Sequence, residues 1–234
     1  ASIVNTIFDL MIPRPNRVQN VFDEQRTALV LALRERGITD ERVLSAIALI
    51  PREQFISPAM RTRAYEDSAL PIDSGQTISQ PYTVAHMTEA LALKGGEKIL
   101  EIGTGSGYQA AVLAHLGANV YTVERHETLS KQAQILLRAL GYSVTHRTGD
   151  GTIGWNQYAP FNGILVTAGA PDVPETLARQ LTIGGRLIVP VGTESAQTLY
   201  RVTRNGPEDW TVVDLGPFKF VPLIGREGWD DKRR

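Results

Sequence analysis

One stretch limits the possible folds more than any other. Lys98-Ile99-Leu100-Glu101-Ile102 runs directly into Gly103-Thr104-Gly105-Ser106-Gly107-Tyr108. A short apolar run, three glycines at alternate positions and a following helical pattern predict a strand, a tight turn and a helix. Glycine permits positive φ and lets backbone N–H groups approach a ligand closely. The helix opening near Tyr108 turns its free N–H groups toward the same place. A second apolar run, Val120-Tyr121-Thr122-Val123, ends in Glu124. A carboxylate at a strand tip is placed to accept hydrogen bonds from a ribose diol. The layout is one for gripping a nucleoside.

The glycine spacing narrows the choice of nucleoside. Dinucleotide binders use GxGxxG, which brings a helix N-terminus to a pyrophosphate. Here Gly103, Gly105 and Gly107 make GxGxG, and Glu101 sits two residues before the first glycine. An acid there repels a pyrophosphate and attracts a cation. S-adenosylmethionine carries an ammonium and a sulfonium and no phosphate, so the charge logic favours it over NAD or FAD. A glycine-rich turn with no ligand, an NAD dehydrogenase and a partner-binding module without catalysis remain as rival readings. Calorimetry with each nucleoside separates them.

Bulk properties exclude several classes. The chain has 234 residues, 42% hydrophobic and 21% charged, with a formal net charge of −1. These values suit one globular domain and give no electrostatic reason to bind nucleic acid or an anionic membrane. No apolar run approaches the roughly 18 residues of a membrane-spanning helix. There are no cysteines, and His86, His115, His126 and His146 show no metal-ligand spacing, so no metal is expected. Residues 2–11 are moderately apolar but contain Asn5 and Asp9 and follow no basic region, unlike an intact signal peptide.

Periodicity organises the rest. Residues 1–17 read as an N-terminal extension carrying Pro13 and Pro15, and residues 18–234 as one domain. A helix is expected over 18–36, stopped by Gly37, and a second, capped by Thr39, ends before Pro51. The polar stretch 70–80 reads as a loop feeding a helix with Pro81 in its first turn and Val84, Met87 and Leu91 on its apolar stripe. Strands near 99–102, 120–123, 144–147, 164–167 and 187–191 alternate with helices near 108–116, 129–140 and 174–181. That alternation predicts an α/β, doubly wound, mostly parallel sheet covered on both faces. The runs 198–203 and 210–214, around Asn205-Gly206-Pro207, predict a hairpin of antiparallel strands near the C-terminus. The domain then divides into a helical and loop cap (18–80), a nucleoside-binding core (81–192) and C-terminal strands with a substrate-side segment (193–234).

Ligands of such sheets bind beyond the carboxyl ends of the strands. Glu101 and Gly103 follow the first strand, Glu124 and Arg125 the second, and Gly149-Asp150-Gly151 the third. Asp150 can accept from an exocyclic amine such as that of adenine, although Asp in such a loop also serves turns. The fourth strand ends in Thr167-Ala168-Gly169-Ala170, without the acid, aromatic ring or amide that would hold a nitrogen nucleophile. A substrate carboxylate, ionised at neutral pH, needs no such help.

Several motifs together resemble protein-L-isoaspartate O-methyltransferases. They are Pro51-Arg52-Glu53-Gln54-Phe55, Gln76-Thr77-Ile78-Ser79-Gln80-Pro81, the 100–108 turn, Gly149-Asp150-Gly151, Gly184-Gly185-Arg186-Leu187, Pro190-Val191-Gly192 and Phe220-Val221-Pro222-Leu223. The resemblance covers residues 31–229. It implies a Rossmann-like S-adenosylmethionine-dependent methyltransferase of the cytoplasm that esterifies the free carboxyl of L-isoaspartyl residues in damaged proteins. The ester then closes to a succinimide that reopens in part to normal Asp, and S-adenosyl-L-homocysteine is left. The partners implied are damaged proteins or peptides, with no nucleic acid, membrane or metal. By similarity Ser79 is the active-site serine, in a loop over both cofactor and substrate. Gln76, Thr77 and Ile78 share that loop. By the same match Glu101 lies near the methionine end, Glu124 near the ribose and Asp150 near the adenine, and Gly103, Thr104, Gly105, Ser106, Gly107, Arg125, Gly151 and Thr167 complete the cofactor-binding set. Val221, Pro222 and Leu223 line the substrate cleft. Another S-adenosylmethionine-dependent methyltransferase, acting on RNA or a small molecule, is the alternative.

Overall fold

A computed structural model describes residues 17–231. The N-terminal extension expected over 1–17, the signal-peptide question and the last three residues therefore lie outside the described residues, apart from Arg17 itself. Seven strands form one sheet. They are β3 (Lys98–Ile102), β4 (Asn119–Glu124), β5 (Val144–Thr148), β6 (Phe161–Val166), β7 (Leu181–Gly192), β8 (Gln197–Gly206) and β9 (Asp209–Phe218). Their order is β5-β4-β3-β6-β7-β8-β9. The first five pair in parallel, and β8 and β9 close the edge as an antiparallel hairpin. The expected doubly wound sheet and C-terminal hairpin are both present.

Strand period two decides which residues meet which layer. Ile99 and Leu165 face a core that includes helices α1 (Arg17–Glu35), α2 (Glu41–Leu49), α3 (Pro81–Leu91) and α4 (Tyr108–His115). Leu100, Ile102, Ile164 and Val166 face the opposite core, with Leu177 of α6 (Glu175–Arg179). Helix α5 (Glu127–Ala139) buries Leu129, Ala133 and Leu137. Glu101 falls on the Ile99 face, so the strand that supplies core isoleucines also carries a wholly buried carboxylate.

Three local expectations change. Helix α2 is capped by Asp40, whose carboxylate accepts from Arg42 N and Val43 N, while the Thr39 hydroxyl donates to Glu89. Asp at this position satisfies two of the orphan donors at once. The 70–80 stretch is more than a loop. β1 (Leu70–Pro71) and β2 (Thr77–Ile78) pair antiparallel around Asp73–Gly75, and Ser74 adopts φ 59°. β7 begins at Leu181, six residues earlier than expected, and α6 is correspondingly short. A register shift opposite Phe161 and Gly163 absorbs Gly184-Gly185, which interrupt the apolar pattern.

Candidate active site

The strand order reverses beside β3, since β4 and β5 lie on one side and β6 and β7 on the other. Loops leaving β3 and β6 therefore part at their carboxyl ends and open a crevice, the usual ligand position in such sheets. A cavity occupies it. Glu101, Gly103, Thr104, Gly105 and Ser106 line it from β3 and the turn, Glu124 and Arg125 from β4, Gly151 from the β5 loop and Thr167 from β6. Gln76, Thr77, Ile78 and Ser79 roof it, and Val221, Pro222 and Leu223 close one side. Gly107 and Asp150 are the two expected cofactor residues that do not line it.

The turn is built by close approach. Gly103 has φ +94°, and a Cβ there would lie 2.4 Å from Thr167 Oγ1. That hydroxyl shares its one proton between Ile102 O at 2.9 Å and Gly103 O at 2.8 Å, stitching the two parting strands together. Gly107, at φ +89°, stands at the N-cap of α4, and its Cα side packs on Ala133 and Leu137 of α5. Its contribution is to seat the helix beneath the turn.

Both strand carboxylates lie on the same face of the sheet, but their surroundings differ. Glu124 accepts from Gly105 N at 2.9 Å and His126 N at 3.0 Å, so it holds the turn while keeping lone pairs for a diol. Glu101 accepts on Oε2 from Thr122 Oγ1 at 2.6 Å, and that hydroxyl is 2.6 Å from Thr104 Oγ1. Its Oε1 is buried with no partner. Burial pushes the carboxyl up to about 8, the Thr122 hydrogen bond opposes this, and the Glu124 charge adds to it. An unsatisfied buried oxygen at the wall of a cavity calls for a donor or cation from a ligand.

Asp150 is spent on the chain itself. Oδ1 accepts from Thr152 N at 2.8 Å and Thr152 Oγ1 at 2.7 Å, and Oδ2 from Arg226 N at 2.9 Å. Burial alone would raise this carboxyl, but these hydrogen bonds and Arg147 hold it below its ordinary range. Those bonds fasten the C-terminal segment, and Asp150 lines an adjoining pocket with Arg125, Gly149 and Ile224. Further ties in that segment run from Thr176 to Glu227, from Trp229 Nε1 to Gly169 O at 3.0 Å, and from Arg125 to Asp231. The segment brings Ile224 to the cavity wall.

A groove adjoins the cavity. Thr77, Ser79, Thr167, Val221 and Pro222 face both. Tyr82, His86 and Phe218 stack within 16° of parallel, with centroids 5.5, 5.6 and 6.2 Å apart, and Tyr82 and Phe218 line the groove. The Arg36 guanidinium covers the Tyr82 ring at 3.7 Å. The Ser79 hydroxyl, half-buried where cavity and groove meet, has no partner among the described residues. The 221–223 segment uses one edge on the protein itself, since Gly169 N donates to Val221 O at 2.7 Å and Leu223 N to Gly169 O at 2.8 Å.

Sequence reasoning missed Tyr108 and Gln109, which line the cavity from the first turn of α4. Gln109 donates to Thr88 Oγ1 at 2.9 Å, leaving its buried carbonyl unpartnered. The Tyr108 hydroxyl is also unpartnered, and burial pushes it up to about 12. The missed signal was their place directly after the last glycine, where helix side chains flank the turn. The stacked rings had no signal at all, because Phe218 arrives from the far end of the chain.

Doubly wound topology, a GxGxG turn and two acids on one face define the class, a Rossmann-like methyltransferase dependent on S-adenosylmethionine. Comparison with known proteins is consistent at every level. Residues 24–228 match the family described as protein-L-isoaspartate(D-aspartate) O-methyltransferase. A Salinibacter ruber protein-L-isoaspartate O-methyltransferase is 50% identical over 216 residues, covering 88% of this chain and 94% of that one. A Pelobacter propionicus protein-L-isoaspartate O-methyltransferase 2 is 55% identical over 196 residues, covering 83% and 87%. A solved protein-L-isoaspartate O-methyltransferase superposes with TM-score 0.78 at 31% identity, covering 87% of this chain and 67% of that one. A Plasmodium falciparum structure, titled as a putative member in complex with S-adenosyl-L-homocysteine, has TM-score 0.74 at 24% identity and covers 85% and 98%, a likeness of fold. The chain belongs to the protein-L-isoaspartate(D-aspartate) O-methyltransferase family and is an S-adenosylmethionine-dependent protein carboxyl O-methyltransferase.

Proposed function

We propose that the cavity holds S-adenosylmethionine, the groove holds a peptide with an L-isoaspartyl residue, and Ser79 orients the acceptor carboxylate between them. The free Ser79 hydroxyl where cavity and groove meet carries this reading. The residues present suit the cofactor. The orphan Oε1 of Glu101 awaits a cation, Glu124 retains acceptors for a ribose diol, and Gly103 leaves the backbone open to close approach. When bound, the cofactor supplies an electrophilic methyl on a cationic sulfur.

The protein's own contribution is placement. Ser79 donates a hydrogen bond that fixes one carboxylate oxygen and leaves the other directed toward the cavity. No base is needed, because a carboxylate with an ordinary pKa near 4 is already ionised. His86 lies in the ring stack with Nε2 on Leu215 O at 3.3 Å, so Ser79 has no triad of the nucleophilic kind. Phe220, Val221 and Pro222 flank the groove and offer a peptide an apolar wall. The stacked rings offer apolar surface to residues beside the damaged one.

The partners are damaged proteins and peptides, reached without nucleic acid, membrane or metal, and the setting is cytoplasmic. A formal net charge of −1 offers no general attraction to a polyanion. Among the described residues no helix is long and apolar enough to cross a membrane and no cluster could hold a metal ion. The test uses matched peptides that differ only in carrying an isoaspartyl or a normal aspartyl linkage, with labelled S-adenosylmethionine. Methyl transfer to the isoaspartyl peptide alone, with later methanol release, supports the reading; equal transfer to both refutes it.

A further inference from the structure

Glu101 is the one carboxylate in this cavity with a buried oxygen that nothing in the protein satisfies. It is fully buried, and its hydrogen-bonding is one-sided, since Oε2 receives the Thr122 hydroxyl and Oε1 receives nothing. With Glu101 ionised, Thr122 donates to Oε2 and the Thr104 hydroxyl donates to Thr122. With Glu101 neutral, its proton sits either on Oε1 with that chain unchanged, or on Oε2 with both hydroxyls reversed. Either way the protein offers Oε1 no partner.

The surroundings leave no internal counter-ion. From β4 the facing charge is Glu124, a second acid, and Arg125 is drawn off to Asp231 at 2.5 Å. From α4 the facing titratable group is Tyr108, with Arg52 behind its ring at 5.0 Å. The roof contributes Gln76, Thr77 and Ser79 and the C-terminal segment contributes apolar side chains, none of them titratable. Two buried acids on one face without a cation cannot both be ionised cheaply in an empty site.

We propose that Glu101 is protonated in the empty enzyme and gives up that proton when S-adenosylmethionine enters, so that cofactor binding is an exchange of one cation for another. The inference rests on the cofactor reading above and adds a stoichiometry to it. The balance is simple: the carboxyl O–H bond breaks, the proton leaves to solvent, and the ligand's positive charge compensates the carboxylate left behind. Burial of this carboxyl supports the neutral state of the empty site. Glu101 thereby selects a ligand by charge, and a neutral nucleoside, which cannot compensate the carboxylate, would leave the proton in place.

Isothermal titration of the full chain with S-adenosylmethionine, repeated in buffers of different ionisation enthalpy, counts the protons. The pH should be about 6.5, below the ordinary α-amino range, so that the ligand's own amine stays protonated. The expected result is release of close to one proton per cofactor, with affinity rising nearly tenfold per pH unit below neutrality. Glu101→Gln should bind with no such release. Infrared difference spectra give a second readout that needs no variant: the protonated carboxyl band should vanish on binding. Binding with proton release near zero, or equal release by Glu101→Gln, overturns the proposal while leaving the cofactor reading intact. Absence of any binding heat would overturn both.

Discussion

Gly103→Ala is the most informative single perturbation of the turn. The new Cβ would lie 2.4 Å from Thr167 Oγ1, and the next Thr167 atom, Cβ, is 3.8 Å away, so the clash is with the hydroxyl alone. To relieve it the hydroxyl must swing off Ile102 O and Gly103 O, losing the one hydrogen bond they share, worth about 1 kcal/mol. Holding an alanine at φ +94° adds roughly 1–2 kcal/mol. The expected destabilisation is about 2–3 kcal/mol, a sizeable part of the margin of a folded domain. The diagnostic is a double-mutant cycle with Thr167→Ala, read by urea unfolding with attention to constant slopes. Thr167→Ala alone should cost about 1 kcal/mol through the lost shared hydrogen bond. Since Gly103→Ala already forfeits that bond, the double variant should be no less stable than Gly103→Ala by itself. Thr167→Val keeps an atom at the clashing position and should give no relief. Strict additivity of the two single effects would refute this picture of the turn.

Other expectations follow from the same contacts. Ser79→Ala should lower kcat for isoaspartyl peptides while leaving thermal stability and cofactor affinity near wild type; full turnover removes it from the mechanism. Glu124→Ala should weaken S-adenosylmethionine binding at least tenfold, about 1.4 kcal/mol or more, and also lower Tm because Gly105 N and His126 N lose their acceptor. The empty enzyme should lose stability as pH rises from the ordinary carboxyl value of 4.5 to about 8, since the unfolded chain sheds the Glu101 proton first. Glu101→Gln should flatten that slope, worth at most about 5 kcal/mol at roughly 1.4 kcal/mol per pH unit. Asp150 behaves oppositely: its depressed carboxyl fastens Arg226 above its unfolded pKa, and acidification through the lower folded value should release the C-terminal segment. Limited proteolysis as a function of pH reads that release, and Asp150→Ala should show it already at neutral pH.

Much of this was legible in the chain because local rules govern it. The glycine turn, the parallel strands and the final hairpin each follow from periodicity and turn chemistry within a dozen residues. What was hidden depends on partners distant in sequence. Asp40 takes the cap from Thr39 because Glu89 claims the Thr39 hydroxyl. Asp150 holds Arg226, which no local pattern connects to it. The pairing of Leu70 with Ile78 was unreadable in a segment of only two residues per strand. Arg52 is a further case: fully buried, it donates to Ala64 O and lies over Tyr108, contacts that no local pattern announces.

The partition between cavity and groove is one residue thick at Thr77, Ser79, Thr167, Val221 and Pro222. A wall that thin has no room for added bulk on either side. Enlarging a side chain at any of these five positions for a new acceptor would crowd both ligands and shift both Michaelis constants together, whereas Tyr82 and Phe218, set back from it, offer a place to change peptide preference without disturbing the methyl donor.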